Sequence, residues 1–129
     1  TYRCTFRSAE FYLTAAEAAL ELNDMDNARH YLTELMKKRY LSAIYPTYEA
    51  EILSMTQDEL REEIYNERFR ELAFEGHRWF DLRRTTRQEL TKTYKGETYV
   101  LQKDDSRYTL RIPADAIEAN PGLEEENRE

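Results

Sequence analysis

The sequence predicts a mainly α-helical fold: a tetratricopeptide-like helical hairpin, a long bent helix, a small β-hairpin and an irregular C-terminal segment. Two patterns support this prediction. Apolar residues in the first half recur every three or four positions, as in amphipathic helices, and β-branched and aromatic residues concentrate in residues 98–112. A composition of 40% hydrophobic and 35% charged residues is typical of a globular chain. We expect residues 1–129 to form one domain or a fragment of a larger fold.

The helical hairpin is predicted for residues 7–40. In residues 7–22 the apolar positions share one helical face, and a second run with the same spacing begins at Met25. Between the runs, Asn23 tolerates the left-handed conformation at a helix end, and Asp24 is a good acceptor for the free amides that begin the next helix. The chain is therefore expected to reverse there.

Two small residues favour close packing within this hairpin. Ala16 and Ala28 stand at the spacing at which tetratricopeptide helices approach each other. One hairpin cannot bury both faces of its helices, so we expect further helices to pack beside it.

The long bent helix is predicted for residues 56–84. Thr56 and Glu59 form a capping-box signal that begins a helix. Gly76 favours left-handed backbone, so the bend is expected at this glycine, with a short helix after it. The preceding residues 41–55 have no clear period and are interpreted as a loop.

The C-terminal part is predicted to contain the β-hairpin, over residues 98–112. Its strands are expected at residues 98–102 and 107–112, joined by a turn. Residues 113–119 are expected to form a short helix, and residues 124–129 a solvated acidic tail.

Residues 66–84 interleave acidic, basic and aromatic side chains. Glu67, Glu71 and Glu75 stand four positions apart and share one helical face, where they would repel one another without cationic partners. Arginines in the same stretch are close enough in sequence to form bidentate ion pairs with them. We therefore predict a structural ion-pair network that fixes the bend. Its members are Glu67, Arg68, Glu71, Glu75, Arg78, Asp81 and Arg84.

This stretch resembles the helix and bend that mark the SusD/RagB family. The similar positions are Glu67, Arg68, Glu71, Leu72, Glu75, Gly76, Arg78, Asp81, Leu82 and Arg84. Residues 7–18 and 112–121 are similar to two further segments of that family, in the same order along the chain. The chain departs from the family pattern at the acidic residues 123–127 and at Thr85 and Thr86.

The resemblance implies a non-catalytic protein without a cofactor, which captures glycans or related nutrients at the cell surface. It also implies a lipid anchor in the outer membrane, lying outside this chain. The implied partners are a SusC-like TonB-dependent transporter and an oligosaccharide or other nutrient. Members of the family are longer, so the resemblance assigns this chain to their C-terminal portion, and most ligand contacts in the family come from preceding segments.

Catalysis and metal binding are alternative interpretations of the same side chains. Paired glutamates are typical of glycoside hydrolysis, but a general acid must stay protonated, and a nearby arginine keeps a carboxylate ionised. We therefore predict no catalytic residue. No metal site is predicted either, because His77 lacks partners at ligand spacing and Cys4 is the single cysteine.

Aromatic residues outside helical patterns are the candidates for ligand contact, because a ring packs well against the C–H face of a sugar. Tyr45 and Tyr48, assigned to the loop before the bent helix, are the candidate ligand-binding residues. Tyr12, Tyr31 and Trp79 lie in helical patterns and are interpreted as packing residues.

The net charge of -7 argues against nucleic acid as a partner, because the chain would repel phosphates. The basic cluster Arg83, Arg84, Arg87 and Lys92 is interpreted as a solvated face. No stretch has the length and apolarity of a signal peptide or membrane span, so export would need a segment outside this chain.

A second class of function stays open, since the hairpin alone is also typical of a cytoplasmic tetratricopeptide-type adaptor that binds peptides.

Overall fold

A computed structural model describes residues 7–126 of the 129-residue chain, with side chains described through residue 123. The chain divides into two compact units, Thr1–Arg78 and Trp79–Glu129. In chain order the elements are α1 (Ser8–Glu21), α2 (Met25–Met36), α3 (Tyr45–Ser54), α4 (Gln57–Glu71), α5 (His77–Arg84), β1 (Leu90–Tyr94), β2 (Glu97–Leu101), a 3-10 helix (Ser106–Tyr108), α6 (Ala114–Ala119) and a second 3-10 helix (Pro121–Glu126). The predicted mainly α-helical class with a small antiparallel hairpin is confirmed.

Helices α1 and α2 form the predicted hairpin. Asn23 adopts a left-handed φ of 61°, and Asp24 accepts a hydrogen bond from the Asn27 amide at 3.2 Å. These two side chains end α1 and begin α2 as the sequence predicts. Ala16 and Ala28 are fully buried, which allows the two helices to pack closely.

The core of the first unit lies among α1 to α4. Helix α4 packs against α1 and α2, and α3 packs against α2, so the additional helices expected beside the hairpin are present. The buried cluster consists of Ala9, Leu13, Ala16, Ala19, Leu20, Ala28, Leu32, Leu35, Met36, Ile52, Leu60 and Ile64. Tyr12, assigned to the packed face from sequence, is instead 40% exposed, because it lies at the edge of the apolar face of α1.

The interpretation of residues 41–55 as a loop is wrong, because Tyr45–Ser54 is helical. Pro46 stands in the first turn of this helix, where its missing N–H costs nothing. Its core-facing residues Tyr45, Tyr48 and Ile52 do stand three and four positions apart, but they cover only two turns, and Ile52 is the only fully buried one among the described residues. Tyr45 and Tyr48 therefore lie on a helix and not in a loop.

Helix α4 begins as predicted but ends early. Thr56 and Glu59 form the capping box, with the Thr56 amide donating to Glu59 Oε2 at 2.8 Å. The helix stops at Glu71, five residues before the expected break, and a turn leads into α5. Both Phe74, with φ of 65°, and Gly76, with φ of 87°, adopt left-handed backbone, so the bend expected at Gly76 is a turn that separates α4 from the short helix α5.

The β-hairpin lies nearer the N-terminus than predicted. Strand β2 covers most of the expected first strand, but it pairs with the preceding β1, with Leu90 opposite Leu101 and Tyr94 opposite Glu97. Lys95 and Gly96 both have positive φ and form the tight turn that matches strand twist. Residues 107–112 form no strand, because the Asp105 carboxylate accepts a hydrogen bond from the Arg107 amide at 2.8 Å and begins a 3-10 helix there.

Tyr108 is fully buried in the second unit. Its ring stacks on Trp79, with centroids 5.2 Å apart and an angle of 9° between the ring planes, and its hydroxyl donates to the Gln88 carbonyl.

Helix α6 confirms the short helix predicted for residues 113–119. The backbone of residues 124–126 continues a 3-10 helix, and residues 127–129 lie outside the described part, so the solvated acidic tail stays a prediction.

Candidate functional site

Glu71, the last residue of α4, accepts hydrogen bonds from two arginines. Arg7 Nη2 lies 2.6 Å from Glu71 Oε1, and Arg39 donates through Nε and Nη2, at 2.8 Å each. The Glu71 side chain is only 7% exposed, so these charge-assisted bonds compensate for the water it has lost. The hydrogen bond from Arg39 lowers the pKa of Glu71 below its usual value, and the carboxylate therefore stays ionised.

Arg7 also completes the end of α4. Its Nη1 atom donates to the main-chain carbonyl of Glu71 at 3.1 Å, and its guanidinium pairs with Glu75. The last carbonyls of a helix have no partner within the helix, so this contact satisfies one of them where the chain leaves α4. Arg7, Arg39 and Glu71 thus connect the segment before α1, the turn after α2 and the end of α4.

Glu67 and Arg68 are both buried within α4. Glu67 Oε2 accepts from Arg70 Nε at 2.9 Å and Nη2 at 2.6 Å, and Arg70 also reaches Glu63. Arg68 donates to the Thr14 hydroxyl at 3.4 Å, across the α1–α4 contact. Each of these charges therefore has a polar partner, as buried charges require.

Of the remaining members of the predicted network, Arg78 places its guanidinium 4.6 Å from the centre of the Phe69 ring. Its membership of the ion-pair network stays a prediction. Asp81 and Arg84 form a local pair at 2.8 Å within α5. Arg7 and Arg39, which the sequence did not single out as members, supply the contacts to Glu71.

The charge cluster lacks the features of a hydrolytic centre. The pKa of Glu71 is lowered by its arginine partner, whereas a general acid needs a raised pKa to carry a proton. His77 Nδ1 lies 3.8 Å from Glu10, and no group of three metal-ligating side chains occurs among the described residues. Cys4 lies outside the described residues.

The two candidate ligand-binding tyrosines are half-buried on α3. The Tyr45 hydroxyl donates to Glu49 at 2.7 Å, and burial together with this hydrogen bond raises the pKa of Tyr45 to about 12. The Tyr48 ring packs on Tyr40 with centroids 4.3 Å apart. Both side chains pack against the core cluster, so a ligand would meet only their edges. Their role in ligand contact stays a prediction.

The predicted basic cluster is divided among several local contacts. Arg84 pairs with Asp81, and Arg87 Nε donates to the carbonyl of Arg83 at 3.2 Å. Lys92 is exposed on β1. These arrangements are those of a solvated surface and not of a continuous basic patch.

Comparison with known proteins decides the family. The sequence model of the SusD family matches residues 1–128, almost the whole chain. The chain belongs to the SusD family. This confirms the resemblance based on residues 66–84 and on the two flanking segments.

A curated relative of this SusD-family chain is a SusD-like protein of Formosa agariphila. The two are 40% identical over 80 residues, which is 62% of this chain and 14% of the relative. The chain therefore spans about one seventh of the length of that relative. Among the described residues, no helix of this SusD-family chain is long and apolar enough to cross a membrane.

Proposed function

We propose that the protein containing this chain captures glycans or related nutrients at the outer surface of the cell, without cleaving them. The family match over residues 1–128 is the observation on which the proposal rests. Residues 1–129 would act chiefly as a scaffold, and the ligand would be passed to a SusC-like TonB-dependent transporter. A lipid anchor outside this chain would hold the protein to the outer membrane.

The charge geometry supports binding without catalysis. Glu67 and Glu71 each accept hydrogen bonds from arginines, and Glu75 pairs with Arg7. Retaining and inverting glycosidases need one carboxyl group that keeps a proton and a second that is ionised. At Glu71 the hydrogen bond from Arg39 lowers the pKa and favours the ionised form, so we propose a structural role for this network.

Binding and cleavage are tested together on the full-length gene product. Isothermal titration calorimetry with neutral and acidic oligosaccharides should detect binding to at least one of them. Chromatography of the same mixtures after long incubation should show each oligosaccharide at its original length. Shortened products would contradict the non-catalytic role, and a complete lack of glycan binding would contradict capture.

The cellular location and the transporter partner need a separate experiment. We expect the full-length protein to fractionate with outer membranes, to be cleaved by protease added to intact cells, and to co-purify with a TonB-dependent transporter. A protein found only in the soluble fraction, binding peptides and not glycans, would instead favour the adaptor alternative.

The candidate contacts Tyr45 and Tyr48 can be tested in the same assay. If the Tyr48 ring contacts ligand, Tyr48→Ala should lower glycan affinity in addition to the stability that it loses with its packing on Tyr40. Tyr31→Ala is the matched control, because it removes another half-buried ring that packs on the core cluster. A loss of stability in Tyr48→Ala with unchanged affinity would assign Tyr48 to packing alone.

A further inference from the structure

A small cavity opens beside the 3-10 helix of the second unit. It has a volume of about 200 Å³ and is lined by Ser106, Arg107, Thr109, Leu110 and Arg111. That volume corresponds to about six or seven water molecules, which suits one sugar residue with a substituent better than a longer chain. The lining contains two arginines, two hydroxyl groups and one apolar side chain, but no acidic residue.

The backbone of this cavity is held in place by Tyr108. The Tyr108 side chain is fully buried against Trp79 and donates to the Gln88 carbonyl. Its neighbours Arg107 and Thr109 flank it in sequence and line the cavity. A binding group on a fixed backbone loses less entropy when ligand binds, so this wall is preorganised.

The two arginines differ in their partners. Arg107 donates to Asp105 through Nε at 2.9 Å and Nη2 at 2.7 Å, and Nη2 also reaches the Val100 carbonyl at 3.1 Å. Arg107 keeps the pKa of Asp105 well below its usual value, so this pair persists at neutral pH. Arg111 is exposed and has no ion-pair partner among the described side chains, those of residues 7–123.

The surrounding sequence is basic although the protein is acidic. Residues 83–111 contain eight basic and four acidic residues, whereas the whole chain has 19 basic and 26 acidic residues. Of these basic residues, Arg107 and Arg111 line the cavity itself, and they are the ones that an anion in it would meet. A guanidinium is also the side chain best suited to bidentate binding of a carboxylate or sulfate.

We infer that this cavity binds the anionic substituent, carboxylate or sulfate ester, of an acidic glycan. Arg111 forms the charge-assisted hydrogen bonds, and Arg107, whose charge is balanced by Asp105, contributes a further N–H donor on a fixed guanidinium. The hydroxyls of Ser106 and Thr109 bind sugar hydroxyls, and Leu110 contacts the C–H face of the ring. The inference rests on the proposed function and specifies the class of glycan.

The test compares two variants of the full-length protein by isothermal titration calorimetry. Arg111→Gln removes the available guanidinium. Lys103→Gln is the matched control, because it removes one positive charge from an exposed residue of the same unit that does not line the cavity. The probes are an oligogalacturonate for carboxylate, a sulfated carrageenan oligosaccharide for sulfate ester, and a maltooligosaccharide as the neutral reference.

Arg111→Gln should weaken binding of an acidic probe about tenfold or more, as expected for lost charge-assisted hydrogen bonds. Lys103→Gln should leave that affinity nearly unchanged, and affinity for the acidic probe should fall with added salt. The probe that loses affinity shows whether carboxylate or sulfate ester is the group bound. Arg111→Lys, which retains the charge but not the planar fork, should be intermediate.

Three outcomes separate the two proposals. Glycan binding with equal effects of Arg111→Gln and Lys103→Gln would overturn the cavity inference and leave the proposed function standing. The same conclusion would follow if only neutral glycans bound. Failure to bind any glycan would overturn the proposed function and with it the inference. An unchanged thermal midpoint of each full-length variant, followed by circular dichroism, shows that affinity losses do not come from unfolding.

Discussion

Glu71 connects parts of the chain that are far apart in sequence. Its arginine partners are 64 and 32 residues away. The Glu71 side chain is nearly buried, whereas the side chains of Arg7 and Arg39 are 33% and 42% exposed. If the carboxylate is lost, the two partly exposed guanidinium groups can be solvated by water instead. The loss of unfolding free energy should therefore be smaller than for breaking a fully buried ion pair.

We predict that Glu71→Gln lowers the free energy of unfolding by about 1–3 kcal/mol at neutral pH. The pKa of Glu71 is lowered in the folded protein, so its stabilising effect is complete above the unfolded-state pKa and is lost as pH falls through the folded pKa. The difference between the two proteins should therefore shrink below about pH 4. Urea unfolding followed by circular dichroism at several pH values measures it.

Glu62→Gln provides the control for this variant, because Glu62 is exposed on the same helix. Its unfolding free energy should stay within about 0.5 kcal/mol of the wild-type value. Equal stability of all three proteins at neutral pH would show that the Arg7–Glu71–Arg39 contacts contribute little to folding.

Tyr108 offers a second prediction at the residue scale. Tyr108→Ala should lower the free energy of unfolding by about 3–5 kcal/mol, because it removes a fully buried ring. Tyr108→Phe should lower it by only about 1 kcal/mol, because it leaves the Gln88 carbonyl without its hydrogen-bond donor. Trp79 is the single tryptophan, so its fluorescence reports unfolding of this unit. Tyr94→Ala, on an exposed ring, should have little effect. Equal midpoints for Tyr108→Ala and Tyr94→Ala would show that the stacked ring is not a packing element.

At the scale of elements, the turn between α4 and α5 shows where sequence prediction reached its limit. Gly76 correctly indicated a left-handed residue, but the helix ends earlier because Phe74 also adopts positive φ. Phenylalanine rarely adopts a positive φ, so the residue type at position 74 gave no indication of left-handed backbone there. The contact of Arg7 with the Glu71 carbonyl, 64 residues away in sequence, cannot be found from local pattern either.

Substitutions in this turn should have opposite effects on stability. Gly76→Ala should destabilise by about 1 kcal/mol through backbone strain alone, because its new Cβ would meet no atom within 4 Å. Phe74→Asn should be neutral or stabilise by up to about 1 kcal/mol, since Asn tolerates left-handed backbone and Phe74 is fully exposed. Thermal midpoints measure both. A destabilised Phe74→Asn protein would show that the exposed ring has a contact of its own in the full-length protein.

At the scale of the whole molecule, the sequence predicted the elements with strong periods. The buried face of α1, the α1–α2 turn and the capping box of α4 were predictable because each depends on residues close together in sequence. Helix α3 and the strand pairing were not, because the core-facing residues of α3 cover only two turns and two alternative pairings of β2 have similar composition. The sequence singled out Glu71, but not its partners Arg7 and Arg39, which lie 64 and 32 residues away.

Amide hydrogen exchange should separate the elements by their burial. The slowest amides are expected in α1, α2 and α4, whose apolar faces form the buried cluster. The amides of β1 and β2 should exchange much faster, because an isolated two-stranded ribbon is only marginally stable in water. Mass spectrometry of peptic fragments measures both rates. Protection of the ribbon equal to that of α1 would show that another part of the full-length protein covers it.

The ribbon of β1 and β2 has a consequence for evolution. Its residues are exposed on both faces, apart from the half-buried pair Leu90 and Leu101. In most sheets a shift of one residue turns apolar side chains away from the core and is strongly disfavoured. Here such a shift would only move Tyr94 and Tyr99 from one exposed face of the ribbon to the other. Insertions in this ribbon can therefore accumulate over generations and present new side chains to solvent at little cost to folding.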